Sequence, residues 1–180
     1  MESTTDVERP DRALLDPASS SVIGRALRWI RFDPRPAHRP PSAARVALAG
    51  VVAIALSLAA DWVIARFAVR IWPSIAGYPH FRFADYSKLT VIGIIGAAVG
   101  WPIVTRLCAA PRWLYLRLAV LVTAVLLLPD LYIYLQGSPG RAVLGLVCMH
   151  LAIGVITYNA VVRIAPVRTY ASPSAFSRVP

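Results

Sequence analysis

The sequence predicts an all-α membrane protein: a four-helix transmembrane bundle with an N-terminal interfacial amphipathic helix. Three observations predict it. Of 180 residues, 57% are hydrophobic and only 16% charged, a surplus of apolar surface that a water-soluble domain of this length does not carry. Four apolar runs reach about twenty residues, enough to cross a ~30 Å hydrocarbon core at ~1.5 Å per helical residue. None of the runs alternates with period two, which argues against a β-barrel. The charge is segregated as well: six of the nine acidic residues precede residue 43, leaving Asp61, Asp85 and Asp130 for the rest of the chain.

Residues 1–18 hold acids, serines, threonines and prolines with little to bury, and read as a disordered cytoplasmic tail. Residues 19–32 read as the amphipathic helix. Val22, Ile23, Ala26, Leu27, Trp29 and Ile30 fill one arc, while Arg25, Arg28 and Arg31 recur opposite at three-residue spacing. Such a helix lies in the headgroup layer with its arginines on anionic lipid, or docks in a partner's groove; lipid is the preferred reading. Residues 33–42 are a proline-rich, stiff linker. The first apolar run begins near Ala43, too late for a cleaved signal segment, so it is expected to stay in the mature protein.

The transmembrane domain occupies residues 43–163, with spans at about 43–67, 89–107, 114–135 and 142–162. Span two carries Gly93, Gly96 and Gly100. Gly96 and Gly100 make a GxxxG pair, which predicts the tightest helix seam of the bundle there. Pro102 is expected to kink this span. A short turn from Gln136 to Gly140 makes spans three and four antiparallel neighbours. Residues 164–180 form the second cytoplasmic tail. Basic residues set the orientation: fourteen fall on the side of the two tails and the link between spans two and three, against five on the other side. The positive-inside rule then puts both termini in the cytoplasm, with the chain multi-pass in the cell membrane.

Asp61, Asp130 and His150 are the ionisable groups inside the apolar spans. A charge at mid-bilayer costs about 2.5–3.5 kcal/mol on insertion scales, so each needs a compensating interaction. Asp61 lies about one and a half turns from the outer end of span one, Asp130 at a similar depth in span three, and His150 about two turns into span four. Three helices thus present polar groups to one outer-leaflet layer. That layer is either a proton-responsive or cation-binding site, or a hydrogen-bonded clasp that fixes packing, with Arg66 or Arg141 as further partners; Asp61 and Asp130 could also snorkel to the interface. His150, Gly154, Thr157 and Tyr158 share a face of span four that should point into the bundle or at a partner subunit. The outer link, 69–87, is rich in aromatics and prolines. It reads as an aromatic belt, with a lid over the polar layer as the alternative.

Several classes are disfavoured. The net charge of +10 is spread between apolar runs and forms no basic face for nucleic acid. Cys108 and Cys148 lack metal-ligand spacing, and His80, Asp85 and His150 do not match a metal pattern, so neither a metal nor a cofactor is expected. No nucleophile elbow or phosphate-cradling loop is present, so an enzyme is not expected.

The second span KLTVIGIIGAAVG (88–100), the LLLP ending at Pro129 and the MHL at 149–151 resemble an actinobacterial family of small four-helix integral membrane proteins of unknown function. The resemblance implies the four-span fold and no activity. The expected role is therefore a small accessory protein that contacts membrane lipids and associates with a larger membrane complex or with itself. The alternative is a proton-linked transporter or ion-conducting oligomer that uses Asp61, Asp130 and His150.

Overall fold

A computed structural model describes residues 38–108 and 110–169. Among the described residues four long helices make up the fold: α1 (Ala43–Ile71), α2 (Phe83–Leu107), α3 (Pro111–Leu135) and α4 (Gly140–Ile164). Each is long and apolar enough to cross a membrane. The architecture is an all-α four-helix bundle, the class the hydropathy pattern predicts. The tail at 1–18, the amphipathic helix at 19–32 with Arg25, Arg28 and Arg31, and most of both flanking segments lie outside the described residues.

Neighbours in sequence are neighbours in space. The chain runs up and down through α1, α2, α3 and α4, and the ring closes through α1 against α4, the most extensive contact of all. The backbone at one end agrees with this topology. A two-residue strand β1 (His38–Arg39) pairs antiparallel with β2 (Arg168–Thr169), joining the segment before α1 to the segment after α4.

The α1–α4 seam is built on small residues. Ala49, Ala53, Ser57, Asp61, Ala65 and Ala68 follow one another almost every four residues along α1, and all are buried. That row brings the α4 backbone close. Ala68 faces Ala142, Ala65 packs with Leu146 and Met149, and Ala53 packs with Ala160. The close glycines are Gly50, whose added Cβ would stand 3.6 Å from Ala98, together with Gly145 and Gly154 on α4. Gly93, Gly96 and Gly100 are not among them. A Cβ built at any of the three meets nothing within 4 Å among the described residues. The tightest seam therefore differs from the GxxxG expectation, because Thr90, Ile94, Ala98, Trp101 and Thr105 form the buried face of α2. The glycines sit on its other faces.

Helices outlast the hydropathy edges at the end of the bundle that carries the α1–α2 link. α1 continues to Ile71 and α2 begins at Phe83, because Asp85, Ser87 and Lys88 are polar yet compatible with a helix, and the last breaker before them is Pro79. Pro102 and Pro129 both lie inside continuous helices. The link between α1 and α2 is thus short, with two single 3₁₀ turns, Pro73–Ile75 and Pro79–Phe81, separated by Gly77 at φ 82°. Ile75 is buried against Ala68 and Ala142, and Tyr78 and Phe81 pack onto the same end of the α1–α4 seam. The α3–α4 turn closes with a Schellman pair: Ser138 N–H donates to Ile133 O at 3.2 Å and Gly137 N–H to Tyr134 O at 3.0 Å, with Gly137 at φ 92°.

Candidate functional site: a polar layer inside the bundle

All four helices contribute to one polar layer. Along α1, Ser57 and Asp61 are four residues apart on the face that meets α4, and both are fully buried. Asp61 lies ten residues before the end of α1, about 15 Å along its axis and deeper than the hydropathy edge suggested. Its Oδ2 accepts a hydrogen bond from Thr90 Oγ1 of α2 at 3.1 Å. On the opposite side, Asp130 of α3 is buried, and its Oδ2 stands 2.8 Å from His150 Nδ1 of α4. His150 Nδ1 also lies 3.1 Å from the carbonyl of Leu146 in its own helix.

The three sequence candidates are thus arranged as two pairs. Asp130 and His150 touch. Asp61 reaches Thr90 instead. Each pair joins two neighbouring helices, α1 to α2 and α3 to α4. Arg66, one candidate partner for the carboxylates, is exposed, and its guanidinium lies 5.3 Å from the centre of the Trp62 ring. Arg141 is exposed in the first turn of α4. Asp85 is exposed in the first turn of α2, and His80 sits edge-on to Tyr78 in the α1–α2 link.

The sequence reading left out Thr90, Ser57 and an aromatic knot at the far end of the bundle. Thr90 looks like any hydroxyl in an apolar run, and its signal is the spacing to Ile94 and Ala98 on one helix face. The knot closes the end opposite the α1–α2 link: Trp101 Nε1–H donates to Ala165 O at 2.8 Å, and Tyr115 O–H donates to Ala97 O at 3.0 Å. Tyr115 also meets Trp101 edge-on and stacks with Tyr158. A tryptophan and a tyrosine buried at a span end were hidden inside the general aromatic content.

Three buried oxygens of the layer have no hydrogen-bond partner among the described residues: Asp61 Oδ1, Ser57 Oγ and Thr157 Oγ1. The contrast with other hydroxyls is informative. Thr105 Oγ1 donates back to Pro102 O at 2.8 Å, the usual way a span hydroxyl is satisfied, but Ser57 and Thr157 make no such bond.

No protein-family model, curated protein or solved structure matches this chain.

Proposed function

We propose that this chain is a small accessory protein of the cell membrane, without catalytic activity, that associates with a partner helix through the outward faces of α2 and α3. The observation that carries this reading is the glycine face of α2. Glycine in a helix interior costs about 0.5–1 kcal/mol relative to alanine, and lipid tails gain nothing from its missing side chain. Gly93, Gly96 and Gly100 at helical spacing are useful where another helix approaches closely, and no described residue of this chain does so. α3 offers a second uncovered surface, with Val120, Leu121, Val125, Leu128 and Leu131 all exposed. Asp61 and Asp130 are bonded to neighbouring helices of the same chain, as a packing clasp would have them. The resemblance to small actinobacterial four-helix proteins supplies a fold for this reading and no chemistry.

The test is purification in a mild detergent with mass spectrometry of what co-purifies. A stoichiometric membrane partner, or a defined homo-oligomer on a native gel, is the expected result. Gly96→Leu with Gly100→Leu should weaken that association about tenfold, equivalent to ~1.4 kcal/mol. A monomer without a partner that drives proton-dependent uptake in liposomes would overturn the accessory role in favour of transport.

The same reading puts both termini in the cytoplasm and the α1–α2 link outside. Ser74 is exposed on that link. In a Cys148→Ser background, Ser74→Cys should react with a membrane-impermeant maleimide added to intact cells. Labelling only after the cells are opened would invert the orientation.

A further inference from the structure

Asp61 Oδ1, Ser57 Oγ and Thr157 Oγ1 belong to one short stretch of the α1–α4 seam. Ser57 and Asp61 share the buried face of α1. The antiparallel register, set by Ala65 on Leu146 and Met149 and by Ala53 on Ala160, puts Thr157 opposite the Ser57 level. All three residues are more than nine-tenths buried, and the three oxygens are unpartnered among the described residues. A buried polar oxygen without a partner is rare, and three fall on this one stretch of the seam.

The charges decide the kind of ligand. An ionised carboxylate inside a span needs one compensating positive charge. Among the described residues no cationic side chain forms an ion pair with Asp61, and His150 Nδ1 is turned to Asp130. Arg66 is directed over Trp62. Asp61 therefore keeps one uncompensated charge and one open oxygen. A divalent ion would overshoot that charge, and among the described residues no three His, Cys, Asp or Glu side chains gather to hold one. Hard carboxylate and hydroxyl oxygens select a hard, small cation.

We propose that Asp61, Ser57 and Thr157 bind one Na⁺ ion in the α1–α4 seam, with Asp61 Oδ1 supplying the charge and the two hydroxyls completing the oxygen set. Thr90 positions the carboxylate by holding its other oxygen. The site stands on the seam itself and is independent of whether α2 meets a partner.

The test is equilibrium binding of ²²Na⁺ to the purified full chain in detergent micelles, with choline as the balancing cation. Saturable binding of about one ion per chain is expected, displaced by unlabelled Na⁺ and not by choline. Asp61→Asn keeps an acceptor for Thr90 and should abolish binding, while Ser57→Ala and Thr157→Ala should each weaken it about tenfold. Should Asp61→Asn fail to fold, the two alanine variants decide. Absence of saturable binding by the unaltered chain, or unchanged affinity in the variants, overturns the proposal.

Discussion

Replacing His150 with leucine is expected to destabilise the bundle by about 2–3 kcal/mol, and replacing Asp130 with leucine in the same chain is expected to restore most of that loss. The single change removes the hydrogen-bond partner that Asp130 has among the described residues, and the Asp130 side chain is only 6% exposed. Breaking a buried pair costs about 3–5 kcal/mol in soluble cores, because the remaining charge is stranded. Hydrogen bonds between membrane helices average only ~0.6 kcal/mol, so the bond itself is the smaller part. The stranded carboxylate is the larger part, which is why taking it away as well should rescue the fold. Reversible unfolding in mixed micelles of dodecyl maltoside and dodecyl sulfate measures both variants. Equal losses in the single and double variants would mean that the pair holds α3 to α4 by its attraction, and that stranding plays no part.

The same pair shows what could be read before the structure. Depth was legible, since counting residues from the span ends puts Asp130 and His150 in one layer, and they meet at 2.8 Å. Direction around the helix was harder. Gly93, Gly96 and Gly100 and the row Ala49, Ala53, Ser57, Asp61, Ala65 and Ala68 are both small-residue patterns at helical spacing, and in an apolar helix either can face inward. What separates them is composition. The α1 row includes Asp61, the one acidic residue of its span, which must turn inward to find Thr90 and carries its alanines with it. The four-span fold needed only run lengths and breakers, properties of the chain alone. The polar layer needed the register between helices, which depends on partners far apart in sequence, such as Thr90 at 29 residues from Asp61.

Replacing Gly145 with leucine is expected to free the α1–α2 link from the bundle. Gly145 is buried on α4, and a Cβ there would lie 2.8 Å from Phe81 Cζ and 3.2 Å from Phe81 Cε1, with the Ala68 methyl 3.7 Å away on the far side. Even alanine requires the Phe81 ring to give way, and leucine fills the space the ring occupies. Overpacking of this kind costs about 1–3 kcal/mol. The cost should fall locally, because Phe81 belongs to a short 3₁₀ turn that can move as a unit, whereas Ala68 belongs to the α1 backbone and cannot. The link holds to the bundle through Phe81, Tyr78 and Ile75, with one side-chain bond from Tyr78 O–H to Ser138 Oγ at 3.3 Å. Losing the ring removes one of the two aromatic contacts, Phe81 and Tyr78, that both apolar clusters at this end share. Ile75 is 3% exposed, so a cysteine at position 75 in a Cys148→Ser background reports the change. Its reaction with a polar maleimide should rise at least tenfold with Gly145→Leu and return toward the starting rate with Gly145→Leu and Phe81→Ala together, a ratio equal to ~1.4 kcal/mol of local opening. Global unfolding would instead expose residue 75 and buried Cys108 at the same rate. Equal labelling of the two sites would show that the link and the bundle come apart as one unit, contrary to the local hinge argued for Phe81.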